Sequence, residues 1–294
     1  MNQSSWGGLY AVDKPGGISS NAALNVLRRR FATRRVGHAG TLDPLATGLL
    51  VVAVGSYTRL LSLMIGADKV YEAEIVLGLE TDTYDTDGSV VAQRPGVQVR
   101  REEIEAGLGR LVGEVLQVPP SFSALKVAGR RAYELARESA PVELAPRAVS
   151  VKRLELDEVY AEDGFVRIRV KAEVGSGTYI RSIAHDLGEI LGTGGCVFAL
   201  RRIRVGAVEI GQAVGLEEVG SKKGELVPEK VLPEVGVATI SPTAAVAFLH
   251  GQPVEGEGSP YVMVYSEDSP EEPLGLAVAK AKRLFPRIIL RRMA

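Results

Sequence analysis

Apolar and polar positions follow two rhythms along this chain. Tyr71, Ala73, Ile75 and Leu77 alternate with Glu72 and Glu74, the period of a strand with one buried face. Val166, Ile168, Val170, Ala172 and Val174 alternate with Arg167, Arg169, Lys171 and Glu173, which predicts a half-exposed strand whose basic face is solvated. The unbroken run Leu49-Leu50-Val51-Val52-Ala53-Val54 ends at Gly55 and reads as a fully buried strand; Leu9 to Val12 reads as a shorter one. Helical spacing appears at Ile104, Leu108 and Leu111. It returns at Ile180, Ile183, Ala184, Leu187 and Leu191, with Gly192 as the stop signal. Ser19, Ser20 or Asn21 can cap a further helix running to about Phe31, closed by Arg28, Arg29 and Arg30, whose charges suit a helix C-terminus and equally an RNA backbone.

Strands interleaved with single helices, in no strict βαβ rhythm, predict an α+β fold with a mixed or antiparallel central sheet flanked by helices. Around Gly220 to Gly236 the chain is punctuated by Gly, Lys and Pro, as a linker would be. Beyond it a short helix (Pro242 to Leu249) and the runs Tyr261 to Tyr265, Leu274 to Val278 and Ile288 to Leu290 suggest a small β-barrel. The expected division is therefore a larger domain over 1–232 and a small one over 233–294.

Directly before the buried run stands Gly37-His38-Ala39-Gly40-Thr41-Leu42-Asp43-Pro44-Leu45-Ala46-Thr47-Gly48. It sets one carboxylate, Asp43, in a loop stiffened by Pro44 and tightened by three glycines, a rigid mount suited to chemistry. The same residues also read as an Asx-Pro turn in which Asp43 only bonds backbone amides. Thr81 to Gly88 reads as an acidic turn; it has calcium-loop colouring but lacks the bidentate Glu of an EF-hand. Arg181 falls at the start of a helix, where the dipole disfavours a cation, and a broken local rule points to function. Lys14 precedes Pro15-Gly16-Gly17, but the Walker pattern is absent.

Hydrophobic content of 46% and charged content of 24% describe an ordinary globular protein. The lone Cys196 excludes an intrachain disulfide and a thiolate metal cluster, and fits a reducing cytoplasm. The three histidines show no zinc-ligand spacing, and no dinucleotide loop is present, so neither metal nor cofactor is expected. No apolar segment approaches the roughly 18 residues that span a bilayer, and no signal-peptide pattern opens the chain, so no membrane is expected. A net charge of −1 argues on its face against nucleic acid, yet the charge is segregated. Lys14 to Leu42 and the stretch after Glu272 carry cations and no acids, which permits a basic face on a neutral protein.

The Gly37–Gly48 wording resembles the catalytic loop of the TruB family, the bacterial tRNA pseudouridine-55 synthases. Further segments resemble that family in the same order: Leu9 to Ser20, Lys69-Val70-Tyr71-Glu72-Ala73, Pro119 to Lys126, Gly177-Thr178-Tyr179-Ile180-Arg181-Ser182-Ile183 and Leu200-Arg201-Arg202. The resemblance implies a pseudouridine synthase sheet followed by a PUA-like RNA-binding module. It implies a catalytic set of Asp43 as nucleophile, Arg181 as its ionic partner and Tyr71 stacked on a flipped uracil. Tyr179 and Leu200 would line the uracil pocket, and His38 would meet bases of the RNA loop. Lys14 joins these substrate-contacting positions, its preferred role being support of the catalytic loop from below. The implied partner is the T-arm of tRNA, and the enzyme is expected to be a cytoplasmic monomer.

Two other readings stay open: a guide-RNA-dependent pseudouridylase subunit, and a non-catalytic RNA-binding or RNA-folding protein on the same scaffold. Glycoside hydrolysis needs two facing carboxylates, and only Asp43 stands out.

Overall fold

The computed structural model describes residues 7–122, 126, 127, 130, 131, 144–220, 224–232 and 234–291. In chain order the main elements are β1 (Gly7–Lys14), α1 (Ser20–Arg30), β2 (Val36–His38), β3 (Thr47–Gly55), β4 (Lys69–Leu77), α2 (Arg101–Gly109), β5 (Gly113–Gln117), β6 (Arg147–Glu162), β7 (Phe165–Val174), α3 (Ile180–Leu191) and β8 (Gly195–Val205). The C-terminal elements are β9 (Val235–Ile240), α4 (Pro242–Leu249), β10 (Val254–Glu255), β11 (Tyr261–Ser266), β12 (Gly275–Lys280) and β13 (Arg283–Ile289). They fall into two compact units, one drawn from 1–67 and 204–294, the other from 68–203.

In the first unit β1 runs antiparallel to β3 along its whole length, from Gly7 opposite Gly55 to Lys14 opposite Gly48. Both strands are apolar on both faces, as strands covered on two sides must be. Short strand β2 adds to β3, and Val214–Gly215 adds to β1 in parallel. Leu9, Ala11, Leu49, Val51 and Ala53 share one core with Met263, Tyr265 and Leu276 of the C-terminal strands. Those strands lie in the order β9-β11-β12-β13-β10, parallel at the first pair and antiparallel elsewhere, which realises the expected barrel as a half-barrel. Helix α4 starts on a Ser241 cap followed by Pro242 and buries Ala245 and Phe248 in a second core with Val262, Val264 and Leu284.

The second unit is built on the strand order β8-β4-β7-β6-β5. Strand β4 pairs antiparallel with β7, Tyr71 opposite Ala172, so the two alternating patterns bury one continuous apolar face. Helices α2 and α3 supply Ile104, Leu108, Ile183 and Leu187 to the core of this unit. Helix α3 spans its apolar period and stops at Gly192 in the left-handed conformation, as read from the spacing. Helix α2 ends at Gly109, so Leu111 lies in the following turn, its amide bonded to the Leu108 carbonyl at 3.0 Å. The architecture is thus α+β, with sheets flanked by few helices. Among the described residues no helix is long and apolar enough to cross a membrane.

One surface expectation is corrected. Arg167 was expected on a solvated face but is only 8% exposed. The register sets Arg169 opposite Glu74 and Lys171 opposite Glu72, opposite charges in facing positions. Arg167 itself pairs with Glu74 and Glu162, each at 3.1 Å, and its guanidinium lies 3.9 Å from the centre of the Phe198 ring. The basic face is neutralised by its own neighbours.

Helix α3 reaches β8 through glycine. A Cβ on Gly188 would stand 2.2 Å from the Gly195 nitrogen and 2.3 Å from the Gly194 carbonyl carbon, both backbone atoms that cannot swing aside. Gly188→Ala is therefore expected to cost about 2 kcal/mol or more in equilibrium urea unfolding, at the high end for overpacking. A neutral result would show that α3 is not held that close to β8.

Candidate active site

Asp43 sits in the loop between β2 and β3, half-buried between the fully covered Leu42 and Ala46. The loop is clamped from below by the segment that joins β1 to α1. Ser20, the first residue of α1 after its Ser19 cap, accepts from the Leu42 amide at 2.8 Å and donates to the Leu42 carbonyl at 2.9 Å. The Gly17 amide donates to the Pro44 carbonyl at 2.9 Å. Lys14 is wholly buried, and its ammonium donates to the carbonyls of Pro15 (2.8 Å), Ile18 (2.8 Å) and Pro44 (3.5 Å). A buried ammonium needs oxygen partners, and here the partners are the two loops themselves. The Asp43 carbonyl closes a tight turn by accepting from the Ala46 amide at 3.1 Å. His38, on β2 opposite Val52, is half-buried at the entry to this loop. Arg28 bonds Asn21, Asn25 and the Val36 carbonyl, and Arg30 bonds the Val219 carbonyl, so these two cations of α1 hold protein together.

Arg181 belongs to the second unit, at the second residue of α3, and is 4% exposed. Its guanidinium donates to the carbonyls of Thr83 (2.8 Å) and Phe122 (2.9 Å) and pairs with the Asp85 carboxylate at 3.4 Å. Asp85 is 5% exposed and is the residue that sequence reasoning missed. Its signal was the acidic turn itself, read as bonding its own backbone. Part of that reading holds: Asp85 accepts from the Thr83 hydroxyl (2.6 Å) and the Asp87 amide (3.2 Å). The turn is also laced to β8 by amide bonds between Tyr84, Thr86 and Val197, and to α3 by the Tyr84 ring stacked on His185 at 4.0 Å.

Tyr179 precedes α3 and takes the place of its cap. Gln117, 2% exposed at the end of β5, accepts from the Tyr179 amide (2.8 Å) and donates to its carbonyl (3.1 Å). Ser182 donates to the Val118 carbonyl at 2.7 Å. The start of α3 is thus docked on the end of β5 by side chains, which fixes Arg181 in spite of the helix dipole. Ser123, Ala124 and Leu125 of the Pro119–Lys126 segment lie outside the described residues.

Tyr71 is 8% exposed on β4, and Leu200 is buried on the neighbouring β8. Arg202, two residues on from Leu200 and 1% exposed, donates to the Tyr71 hydroxyl at 3.5 Å. Lys69 shares the Tyr71 face of β4; burial lowers its ammonium to about 8, with Arg202 adding to the fall and Asp68 opposing it. Burial, with the Asp85 charge, pushes the Cys196 thiol up to about 12, which keeps it inert at neutral pH. Glu80, His185 and Glu189 bring ligand atoms within 4.8 Å of one another, but Glu189 is exposed and the trio enters no step below. Of the expected catalytic set, Tyr71 and Arg181 belong to the second unit and Asp43 to the first.

The family model described as TruB family pseudouridylate synthase (N terminal domain) matches residues 28–180, and that of the tRNA pseudouridylate synthase B C-terminal domain matches 181–233. The chain is 47% identical over 215 residues to tRNA pseudouridine synthase B of Mycobacterium tuberculosis, covering 73% of this chain and 72% of the relative. It is 42% identical over 254 residues to the protein of that name from Mycobacterium sp. (strain KMS), covering 86% of each. Among solved structures, the archaeal box H/ACA sRNP Nop10-Cbf5 complex holds a chain of similar fold, with TM-score 0.67 and 21% identity, covering 98% of this chain and 87% of that one. The H/ACA RNP bound to a substrate RNA containing 2'-deoxyuridine gives TM-score 0.69 at 20% identity, covering 98% and 86%.

Two outcomes follow from the buried charges. Asp85→Asn removes the Asp85 carboxylate from the buried Arg181 cation and is expected to cost about 3 kcal/mol in urea unfolding. A loss below about 1 kcal/mol would mean that the other partners of Arg181 balance the charge without it. For Lys69, the unfolded chain holds more protons than the native one between about 8 and its ordinary 10.5, so the stability it contributes rises with pH across that window. Wild type is expected to gain on Lys69→Met as pH rises from 8 to 10, and a pH-independent difference would show that the amine is not buried.

Proposed function

The chain belongs to the TruB family of pseudouridylate synthases, and from that premise we propose that it isomerises uridine-55 in the T-loop of tRNA to pseudouridine. The likeness to synthases of that name, over most of both chains, carries the reading. The reaction breaks the bond between the ribose and N1 of uracil and makes one from the same ribose carbon to C5. No electrons are exchanged with a second molecule, so the chain's own side chains can do the work.

In this reading Asp43 is the nucleophile, carried on a loop that cannot drift because Lys14, Ser20 and Gly17 hold it. Arg181 orients and balances the Asp43 carboxylate through its planar fork. Asp85 and the Thr83 and Phe122 carbonyls keep that fork from turning. The uridine must leave its stack to be reached, at a cost of a few kcal/mol. Stacking on Tyr71, worth roughly 1–3 kcal/mol, offsets much of this, with Tyr179 and Leu200 lining the pocket. The Tyr71 phenol serves proton transfer at the reacting centre, and His38 meets the bases of the opened loop. Residues 1–232 form the catalytic domain and 233–294 a PUA-like RNA-binding module. The protein acts in the cytoplasm as a monomer.

A guide-dependent role is the weaker reading. Identity to relatives named tRNA pseudouridine synthase B is 42–48%, against 20–21% to chains solved in H/ACA assemblies. Purified wild type should therefore release tritium from 5-tritiated uridine in a bare T-arm stem-loop. Asp43→Asn should lower that rate by at least about 10³-fold while binding the same RNA within threefold. Turnover retained in the variant removes Asp43 from the chemistry, and an inert wild type on bare RNA favours the guide-dependent reading.

A further inference from the structure

Arg202 is the largest of the fully buried side chains and has no part in the mechanism so far. An arginine held at 1% exposure is poorly explained by stability. A well-packed apolar side chain of similar volume usually serves the fold as well or better than a buried ion. Its place in the sheet is specific. Strand β8 neighbours β4, and Arg202 reaches across to the one phenol that the proposed reaction uses.

The sense of that contact is fixed by chemistry. A guanidinium has five donors, no acceptor and no accessible neutral form, so in the 3.5 Å contact the Tyr71 oxygen accepts. The hydroxyl's own proton must then point away from the guanidinium. The geometry of the pair sets the oxygen without relying on stacking: the guanidinium carbon lies 6.0 Å from the ring centre, at the limit of a cation–π contact, so the hydrogen bond is the closer tie. A second buried cation, Lys69, stands two residues before Tyr71 on the same face of β4. Two buried cations, Arg202 and Lys69, thus stand on the strand beside Tyr71 and on its own strand.

We infer that Arg202 is a positioning residue for pseudouridine formation: by donating to Tyr71 Oη it holds the phenol oxygen in place for proton transfer at C5 of the flipped uracil. The inference rests on the function proposed above. It assigns Arg202 no contact with RNA, and it distinguishes arginine from lysine at this position. Lysine is a compact point charge on a flexible stem and lacks the planar fork that reaches the phenol with fixed direction.

The test is a double-mutant cycle on single-turnover rates with T-arm RNA, using Tyr71→Phe, Arg202→Met and the double variant. Arg202→Met is expected to slow the reaction by about 10-fold or more with RNA affinity within threefold, and the double variant should be no slower than Tyr71→Phe. With uridine deuterated at C5, Tyr71→Phe and Arg202→Met should both raise the isotope effect above that of wild type. A residue that only props the fold would not produce that shared signature. Multiplicative losses in the cycle, an unchanged isotope effect, or an Arg202→Met enzyme as fast as wild type each overturn the inference. Arg202→Lys keeps a cation at the site and is run in parallel with a thermal melt. If the Met variant does not fold, the lysine cycle decides by the same criteria. Wild type inactive on the RNA would instead sink the functional reading, before the cycle begins.

Discussion

A permanently charged guanidinium buried at the wrong end of a helix is the constraint around which the second unit is arranged. Arg181 cannot shed its proton, and at the second residue of α3 it faces the positive end of the helix dipole. Three features of the fold answer it. The acidic turn delivers Asp85 and the Thr83 carbonyl, the segment after β5 delivers the Phe122 carbonyl, and Gln117 grips the peptide of Tyr179 so that α3 starts where it does. Each comes from a different stretch of chain, so the cation is satisfied only when the unit is folded. The close glycine contact of α3 with β8 then follows, because a helix docked by its first turn cannot stand away from the sheet at its third.

Lys14 poses the same problem in the first unit and receives a different answer. Its ammonium donates to carbonyls of the two loops it joins. The loop bearing Asp43 is therefore tied to a buried cation. Rigidity and electrostatics come from one side chain, and the short Pro-Gly-Gly connection between β1 and α1 is what lets the carbonyls converge on it.

Much of this was legible in the sequence because it depends on local rules. The runs of β1 and β3, the alternation in β4 and β7, and the caps of α1 and α4 are short-range patterns, and the elements appear where those patterns lie. Strand β6 was not legible. Few of its residues Arg147–Glu162 are fully buried, and register shifts beside Arg153 and Glu158 break the two-residue period, so no alternation survives to be read. The motifs singled out Asp43, Tyr71 and Arg181 and the loop support Lys14, but not the roles of Asp85, Gln117 and Arg202. Asp85, Gln117 and Arg202 each act across more than thirty residues of sequence, and nothing local distinguishes an aspartate in an acidic turn from one that ends beneath a buried arginine. Arg167 was misread because its acids, Glu74 on β4 and Glu162 at the end of β6, reach it through strand pairing that no alternation along β7 reveals.

The distribution of buried charge gives these separate observations one direction. The chain carries a net charge of −1, yet among the described residues the buried cations are Lys14, Lys69, Arg167, Arg181 and Arg202, against Asp85 as the buried carboxylate. Burying positive charge costs stability even where it is paired. The depressed Lys69 ammonium is a visible part of that cost. In the proposed reaction the buried cations on the strand of Tyr71 and its neighbour meet negative charge that develops on the substrate. A nucleotide brings a phosphate and, when C5 must give up a proton, anionic character in its ring. Lys69 and Arg202, buried on the strand of Tyr71 and its neighbour, favour that ring charge in the proposed reaction, and they are fixed before the substrate arrives, so no reorganisation is required at the moment of reaction.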